Sequence, residues 1–372
     1  MIRQQIGHYL YVIDRGRREV VILNSNRMTV IDRIPTQDPT TLAMSPSLNL
    51  LAVANQTANL VSFIDIDPHS STFHQVVQET TVGERPRGIA WEPGNEDILV
   101  ANELDNTVSV ISAAQLQVRK VVRSQLSGPF DIAITPRQAF WGYVRNVYFA
   151  YILNRSGRVA MFESGPNFVN GWGYDDIIGI VQPTFQNPKA IQPDHVDLRS
   201  AVWIAHEGPL DANGNPGPIG VPALSKLVID SALSGALVLN SSGASTPQFR
   251  DMHLGVQVSV GPPQLSGIPV DIAFDDMRSW TGLPNYHTAF SVGAAQPING
   301  KQLVRSFNLG YHPTNTPRYM FAAIPNPFVG TGVVDVVRID QSYVRVDTNP
   351  FQSGIQSIPA ENCVIVTDYF RQ

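Results

Sequence analysis

The stretch Arg85-Pro86-Arg87-Gly88-Ile89-Ala90-Trp91-Glu92-Pro93 opens the unit whose reading decides the fold. Three runs follow it: Ile98-Leu99-Val100-Ala101-Asn102, Asn106-Thr107-Val108-Ser109-Val110-Ile111 and Val118-Arg119-Lys120-Val121-Val122. Each is short and rich in β-branched residues, and Pro, Gly, Asn or Asp separates it from the next. Such runs, closed by turn residues, are strand signals.

The neighbouring units have the same form. Upstream, Pro39-Thr40-Thr41-Leu42-Ala43-Met44-Ser45-Pro46 precedes Leu51-Ala52-Val53-Ala54-Asn55 and Leu60-Val61-Ser62-Phe63-Ile64-Asp65. Downstream, Gly128-Pro129-Phe130-Asp131-Ile132-Ala133-Ile134 leads to Tyr148-Phe149-Ala150-Tyr151-Ile152-Leu153-Asn154 and Arg158-Val159-Ala160-Met161-Phe162. Further unit starts stand at Asn187-Pro188-Lys189-Ala190-Ile191 and Pro269-Val270-Asp271-Ile272-Ala273-Phe274. One four-stranded sheet cannot bury both its faces alone. Radial stacking buries each face on its neighbour and leaves only short edges, so the repeat predicts an all-β propeller of four-stranded antiparallel blades. The small residues Ala43, Gly88, Ala90, Ala133 and Ala273 suit the narrow space at a propeller axis.

The pattern Pro-x-x-Ile-Ala, Leu-x-Val-Ala-Asn, Asn-x-Val-Ser-Val-Ile resembles the YVTN β-propeller repeat, clearly over residues 9–163 and weakly beyond. The resemblance implies a seven-bladed β-propeller. It also implies kinship with surface-layer and envelope proteins, lactonase-like enzymes and subunits of redox assemblies. The repeat itself is structural and carries no catalytic residue. Blades are expected near 9–35, 38–82, 85–125, 128–182, 187–260, 268–310 and 317–350. The first would begin at its second strand, and Gly354–Ile358 would supply the missing one and close the ring. Cys363–Asp368 then reads as one strand too many.

Composition narrows the partners. Of 372 residues, 43% are hydrophobic and only 15% charged, with a net charge of −5. No basic stripe stands out, so a nucleic-acid partner is not expected. Lysine occurs only at positions 120, 189, 226 and 301. The lone Cys363 lies in an apolar run and reads as a core thiol. No run reaches the roughly 18 apolar residues of a membrane span. The uncharged polar surface fits an extracellular, periplasmic or cell-surface location. On that expectation residues 1–372 form one propeller domain from which a leader or preceding domain has been removed.

Function is sought where the repeat breaks. The largest break is a loop insertion at about 206–264. There His206 takes the strand-end position that Asn55, Asn102 and Asn154 hold in other blades, followed by Glu207 and the Gly/Pro-rich loop 209–218. Asp211, Asn213 and Asn215 partly match a calcium loop, although Pro216 and Pro222 replace its glycine and final glutamate. Calcium is the cofactor these residues would take; no other cofactor is evident. His195 and His206 are separated by a strand about 17 Å long at roughly 3.3 Å per residue, too far for a shared metal. Trp280, His287, Tyr311 and His312 are the second group of candidate ligand or partner contacts, being residue types that anchor interfaces.

No nucleophile elbow, phosphate loop, metalloprotease helix or haem-attachment motif is present in the sequence. The expectation is a non-catalytic scaffold propeller that binds other proteins of an envelope or extracellular assembly. The enzymatic alternative is a metal-dependent lactonase- or lyase-like propeller, with His206 and Glu207 first in line. A further alternative is an accessory subunit of a redox complex beside a haem protein.

Overall fold

The computed structural model describes residues 2–4, 9–24, 26–92, 94–134, 148–164, 175–181, 184–193, 202–211, 214–227, 259–260, 265–274, 296–298, 301–303, 319–326, 331–338, 357–361 and 367–368. The fold is all-β, an antiparallel propeller of the seven-bladed kind. Blade 1 contains β1 (Ile2–Gln4), β2 (Tyr9–Asp14), β3 (Glu19–Asn24) and β4 (Thr29–Pro35). Blade 2 contains β5 (Pro39–Met44), β6 (Leu50–Asn55), β7 (Leu60–Asp65) and β8 (Val76–Thr81). Blade 3 contains β9 (Pro86–Trp91), β10 (Asp97–Asn102), β11 (Thr107–Ser112) and β12 (Gln117–Val122). Blade 4 contains β13 (Pro129–Ile134), β14 (Phe149–Asn154), β15 (Val159–Glu163) and β16 (Asp176–Val181). Blade 5 contains β17 (Gln186–Pro193), β18 (Val202–Glu207), β19 (Pro222–Leu227) and β20 (Ser259–Val260).

The C-terminal third departs from the expected boundaries. A sixth sheet pairs β21 (Asp271–Phe274), β24 (Tyr319–Asn326), β25 (Thr331–Arg338) and β26 (Ser357–Glu361) in that order. The starts placed at 268 and 317 therefore belong to one sheet. Between them β22 (Gln296–Ile298) and β23 (Lys301–Leu303) form a separate two-stranded sheet. Ring closure also differs. Strand β1 supplies blade 1 with its own first strand, and the terminal β27 (Thr367–Asp368) pairs parallel to it. Residues 357–361, in the tail expected to start a blade, pair with β25 as an outer strand instead. The insertion expected at 206–264 contains two ordinary blade strands, β19 and β20.

Alternation along the strands builds the interior. Leu42 and Met44 face blade 1 and pack with Tyr11 and Ile22, whereas Ala43 between them faces blade 3 and packs near Ile89 and Trp91. Leu99 and Ala101 then join Ile132 and Ile152 of blade 4, and Tyr151 and Leu153 join Ile191 and Ile204 of blade 5. Trp203 and Ala205 meet Ile272 and Ala322 of the sixth sheet. Each of these clusters is thus one interface between successive blades, as a period of two demands of strands buried on both faces.

Turns repeat too. Arg18, Asn59 and Asn106 end the turn between second and third strands and Gly157 stands one residue before its end, all at positive φ (58°, 55°, 56° and 83°). Their carbonyls accept an N–H from the chain leading to the next blade, except that Asn106 uses its side chain: Oδ1 accepts from Gly128 at 2.6 Å. Asn tolerates this left-handed conformation, which explains its recurrence before the third strand.

Candidate functional site

Five innermost strands (β5, β9, β13, β17 and β21) follow one another around the axis. Register shows their equivalent positions: Thr41 opposite Ala54, Gly88 opposite Ala101, Asp131 opposite Leu153, Ala190 opposite Ala205, and Asp271 opposite Ala323. The next residue along the second strand is Asn55, Asn102, Asn154 or His206 respectively, so His206 does take the asparagine position.

His206 is fully buried, not displayed on the rim. Its Nδ1 lies 2.8 Å from the Glu207 carbonyl oxygen, which can only accept, so Nδ1 carries the proton. Its Nε2, 2.7 Å from Ser225 Oγ, then accepts from that hydroxyl. Phe185 packs edge-on against the ring with centroids 5.1 Å apart. Burial pushes the imidazole down to about 4, against a smaller upward pull from the Glu207 hydrogen bond, so the ring is neutral. Both nitrogens are committed to the protein, which removes His206 as a ligand-binding candidate.

Glu207 is also buried, at 5% exposure. Its Oε2 accepts the Gly220 N–H at 2.9 Å, while Oε1 accepts from Asn187 and lies 3.2 Å from Lys189 Nζ. Burial works to raise its pKa, but Gly220, Lys189 and Asn187 outweigh it and leave the carboxyl below its ordinary value. Glu207 therefore pins the loop to blade 5. Asp211 is exposed, with Oδ1 accepting the Asn215 N–H at 2.8 Å and Oδ2 the Asn215 amide at 3.0 Å. That pair closes a turn. Asn213, Trp280, His287, Tyr311 and His312 lie outside the described residues, as do Asp194, His195 and Asp197. Among the described residues no three His, Cys, Asp or Glu side chains are grouped to hold a metal.

Two groups that the sequence did not single out come together instead. The first lies on the rim formed by the turns between second and third strands. Arg155 Nε donates to Glu103 Oε1 at 2.6 Å, Arg85 Nε is 3.3 Å from Glu103 Oε2, and Arg87 Nη1 is 3.8 Å from the same oxygen. The three arginine side chains are 40–41% exposed, whereas that of Glu103 is 10% exposed. The Arg155 guanidinium also stacks over the Phe130 ring at 3.8 Å. Burial first, then the nearby Arg155, Arg85 and Arg15, pull the Arg87 pKa below its usual value against the attraction of Glu103.

Backbone geometry builds this cluster. Ala101 pairs with Gly88 and Asn102 with Pro86, which leaves Arg87 as the extra residue of a β-bulge. Bulges re-aim side chains, and Thr41 Oγ1 holds this one by donating to the Arg87 carbonyl. Arg85 sits at φ 58°, where the corresponding lead-in residues are Gly128 at 63° and Asn187 at 43°. Its N–H donates to Asn59 Oδ1 at 2.9 Å, as the Gly128 N–H does to Asn106.

The second group lies at the axis. Asp131 Oδ2 accepts the Ile191 N–H of the next innermost strand at 2.8 Å, and Oδ1 accepts its own Ile132 N–H at 3.0 Å. Asp271 Oδ1 accepts the Ile272 N–H at 2.9 Å. Burial, reinforced by Asp271, pushes Asp131 up to about 7; burial pushes Asp271 up to about 6. The triplet Asp-Ile-Ala, repeated at 131–133 and 271–273, was the available signal.

Comparison with known proteins agrees with the architecture. A family model described as "Lactonase, 7-bladed beta-propeller" matches residues 2–85, which span the first two blades. The chain is similar to "Kuenenia stuttgartiensis Hydrazine Synthase" at 14% identity and a TM-score of 0.56, covering 91% of this chain and 76% of that one. It also resembles a chain of "Crystal Structure of Mitotic Checkpoint Complex" at 10% identity and a TM-score of 0.46, covering 71% and 64%. No curated protein matches. At such identities the first likeness shows the fold alone, and the second carries no argument.

Proposed function

We propose that this chain is a binding scaffold, a propeller that holds a partner protein against one rim within an assembly of the cell envelope or extracellular space. The observation that carries this reading is the convergence of Arg85, Arg87 and Arg155 on the single carboxylate of Glu103. Arginine is enriched among residues that anchor interfaces; Arg85 and Arg155 stand on the connections that border the rim and Arg87 on the bulge of β9, all fixed by a rigid sheet framework. Native mass spectrometry of the protein isolated from its own source tests the reading. A stable heteromeric mass is expected; a bare monomer at every salt concentration overturns it.

A second reading is a metal-dependent lactonase- or lyase-like propeller enzyme. The raised pKa of Asp131 favours it, because a carboxyl poised near neutrality can exchange a proton at working pH. Hydrolysis of a lactone panel that Asp131→Asn abolishes would establish it, and absence of turnover with added divalent cations would retire it.

A further inference from the structure

We propose that the rim docks an acidic segment of the partner, a stretch carrying two or more carboxylates that is gripped by Arg15, Arg85, Arg87 and Arg155. This rests on the binding-scaffold reading and names the chemistry of the partner.

Charge is the first argument. Three guanidinium groups, those of Arg155, Arg85 and Arg15, lie close enough to perturb Arg87, and Glu103 opposes them. This local excess of positive charge stands in a chain whose net charge is −5. Self-repulsion of that kind works against the compact state and is relieved by an anion. The chemistry of the anion is already displayed: the cluster holds a carboxylate, that of Glu103, while about two fifths of each surrounding arginine side chain faces solvent. Guanidinium forks match carboxylates two N–H groups at a time.

Fixed presentation of the side chains is the second argument. Position 85 adopts a left-handed conformation that Gly128 and Asn187 fill elsewhere. Arg18 adopts the same φ of 58° at the turn of blade 1, so the conformation serves here to fix where the Arg85 side chain leaves the backbone. Arg87 rides on a bulge that the first strands of blades 2 and 4 also carry, and the bulge re-aims its side chain. Arg155 is held in place from both sides by Phe130 and Glu103. Three arginines are thus presented in fixed geometry from two adjacent blades. Arg15, whose Nη2 donates to Gln56 Oε1 at 3.3 Å, extends the row to the turn of blade 1. A row of this extent suits an extended segment better than a single small anion.

The test is fluorescence anisotropy of the full chain with a labelled peptide alternating Glu and Gly over twelve residues, beside the same peptide with Gln for Glu. The Glu peptide is expected to bind, and the Gln peptide not. Arg85→Gly and Arg155→Gln should each weaken binding by about 5- to 10-fold, in line with the loss of one charged contact. Arg27→Gln, on the opposite rim, should leave it unchanged. Arg85→Gly is the decisive variant, because glycine is at home at φ 58° and its melting temperature should match the parent. Equal affinity across the variants overturns the proposal. So does binding of the Gln peptide, or binding of pyrophosphate but not of the Glu peptide. Native mass spectrometry of the Arg85→Gly/Arg155→Gln protein separates this idea from the reading it rests on. An assembly that survives the double substitution sinks the acidic segment and leaves the scaffold standing; no assembly with the parent chain sinks the scaffold.

Discussion

The Nε2 atom of His206 lies 2.7 Å from the Ser225 hydroxyl, in the place where Asn102 Nδ2 donates to Ser109 Oγ at 2.9 Å and Asn55 Nδ2 to Ser62 Oγ at 3.0 Å, but with the direction reversed, since Nε2 accepts. In each blade the serine sits on the third strand, two residues beyond the partner of the second-strand residue. His206 thus keeps the contact between second and third strands that the asparagine makes elsewhere, with the serine hydroxyl turned to donate. His206→Asn should fold with little loss, whereas His206→Ala, which empties a buried site and deletes two hydrogen bonds, should cost about 2–4 kcal/mol. Urea unfolding of the two variants checks the difference.

The same histidine sets an acid limit. Its folded pKa of about 4 lies below the ordinary 6.5, so the unfolded chain binds the extra proton between those values. Stability should therefore rise with pH from about 4 to 6.5, by roughly 3 kcal/mol from this residue alone. His206→Asn should flatten that limb of a plot of melting temperature against pH.

Asp131 and Asp271 act in the opposite sense. Their folded pKa values, about 7 and about 6, lie above the ordinary 3.8, so the folded chain retains protons that the unfolded chain releases. Their contribution is complete below pH 4 and is lost as pH climbs towards 7. Asp131→Asn keeps an acceptor for the Ile191 N–H and removes the charge. Its melting temperature should exceed that of the parent at pH 8 and equal it at pH 4.

Gly88 marks where two innermost strands nearly touch. A Cβ there would come within 2.7 Å of both the Asp131 Cα and the Phe130 carbonyl oxygen, which are backbone atoms that cannot swing aside. Gly88→Ala should destabilise by about 2 kcal/mol or more, as overpacking does. A calorimetric melt reads it directly.

Arg119 clamps blade 3 to blade 4. Its Nε and Nη2 donate to the two oxygens of buried Asp97, both at 2.8 Å, and its other donors reach Asp175. Tyr148 donates to Asp97 Oδ2 at 2.6 Å. Burial opposes the Arg119 charge, but the two aspartates outweigh it and raise its pKa. Arg119→Met strands a carboxylate that is 1% exposed and should cost about 3–5 kcal/mol, while Arg119→Met with Asp97→Asn should recover much of the loss. A double-mutant cycle in urea measures the coupling.

The sequence by itself determined the blades of residues 39–181. Strand period, Pro at the first strand and Asn after the second-to-third turn are local preferences of single residues, and the repeat states them several times over. It also determined the place of His206, since strand pairing carries one position into the next blade unchanged. Tertiary structure decided what that position does, because burial and the Ser225 hydroxyl, 19 residues away, turn an apparent ligand into a core hydrogen bond. It decided that the segments beginning near 268 and 317 share one sheet, a pairing across more than forty residues that no local pattern encodes. It also gathered Arg85, Arg87, Glu103 and Arg155. Each reads alone as an ordinary surface charge; pairing of β9 with β10 sets Arg85 and Arg87 beside Glu103, and the stacking of blade 3 on blade 4 adds Arg155, all within 4 Å of one carboxylate. Charge and burial depend on distance through space, whereas strand and turn preferences depend on position along the chain. That is why the scaffold could be read from the residues and the site required the fold.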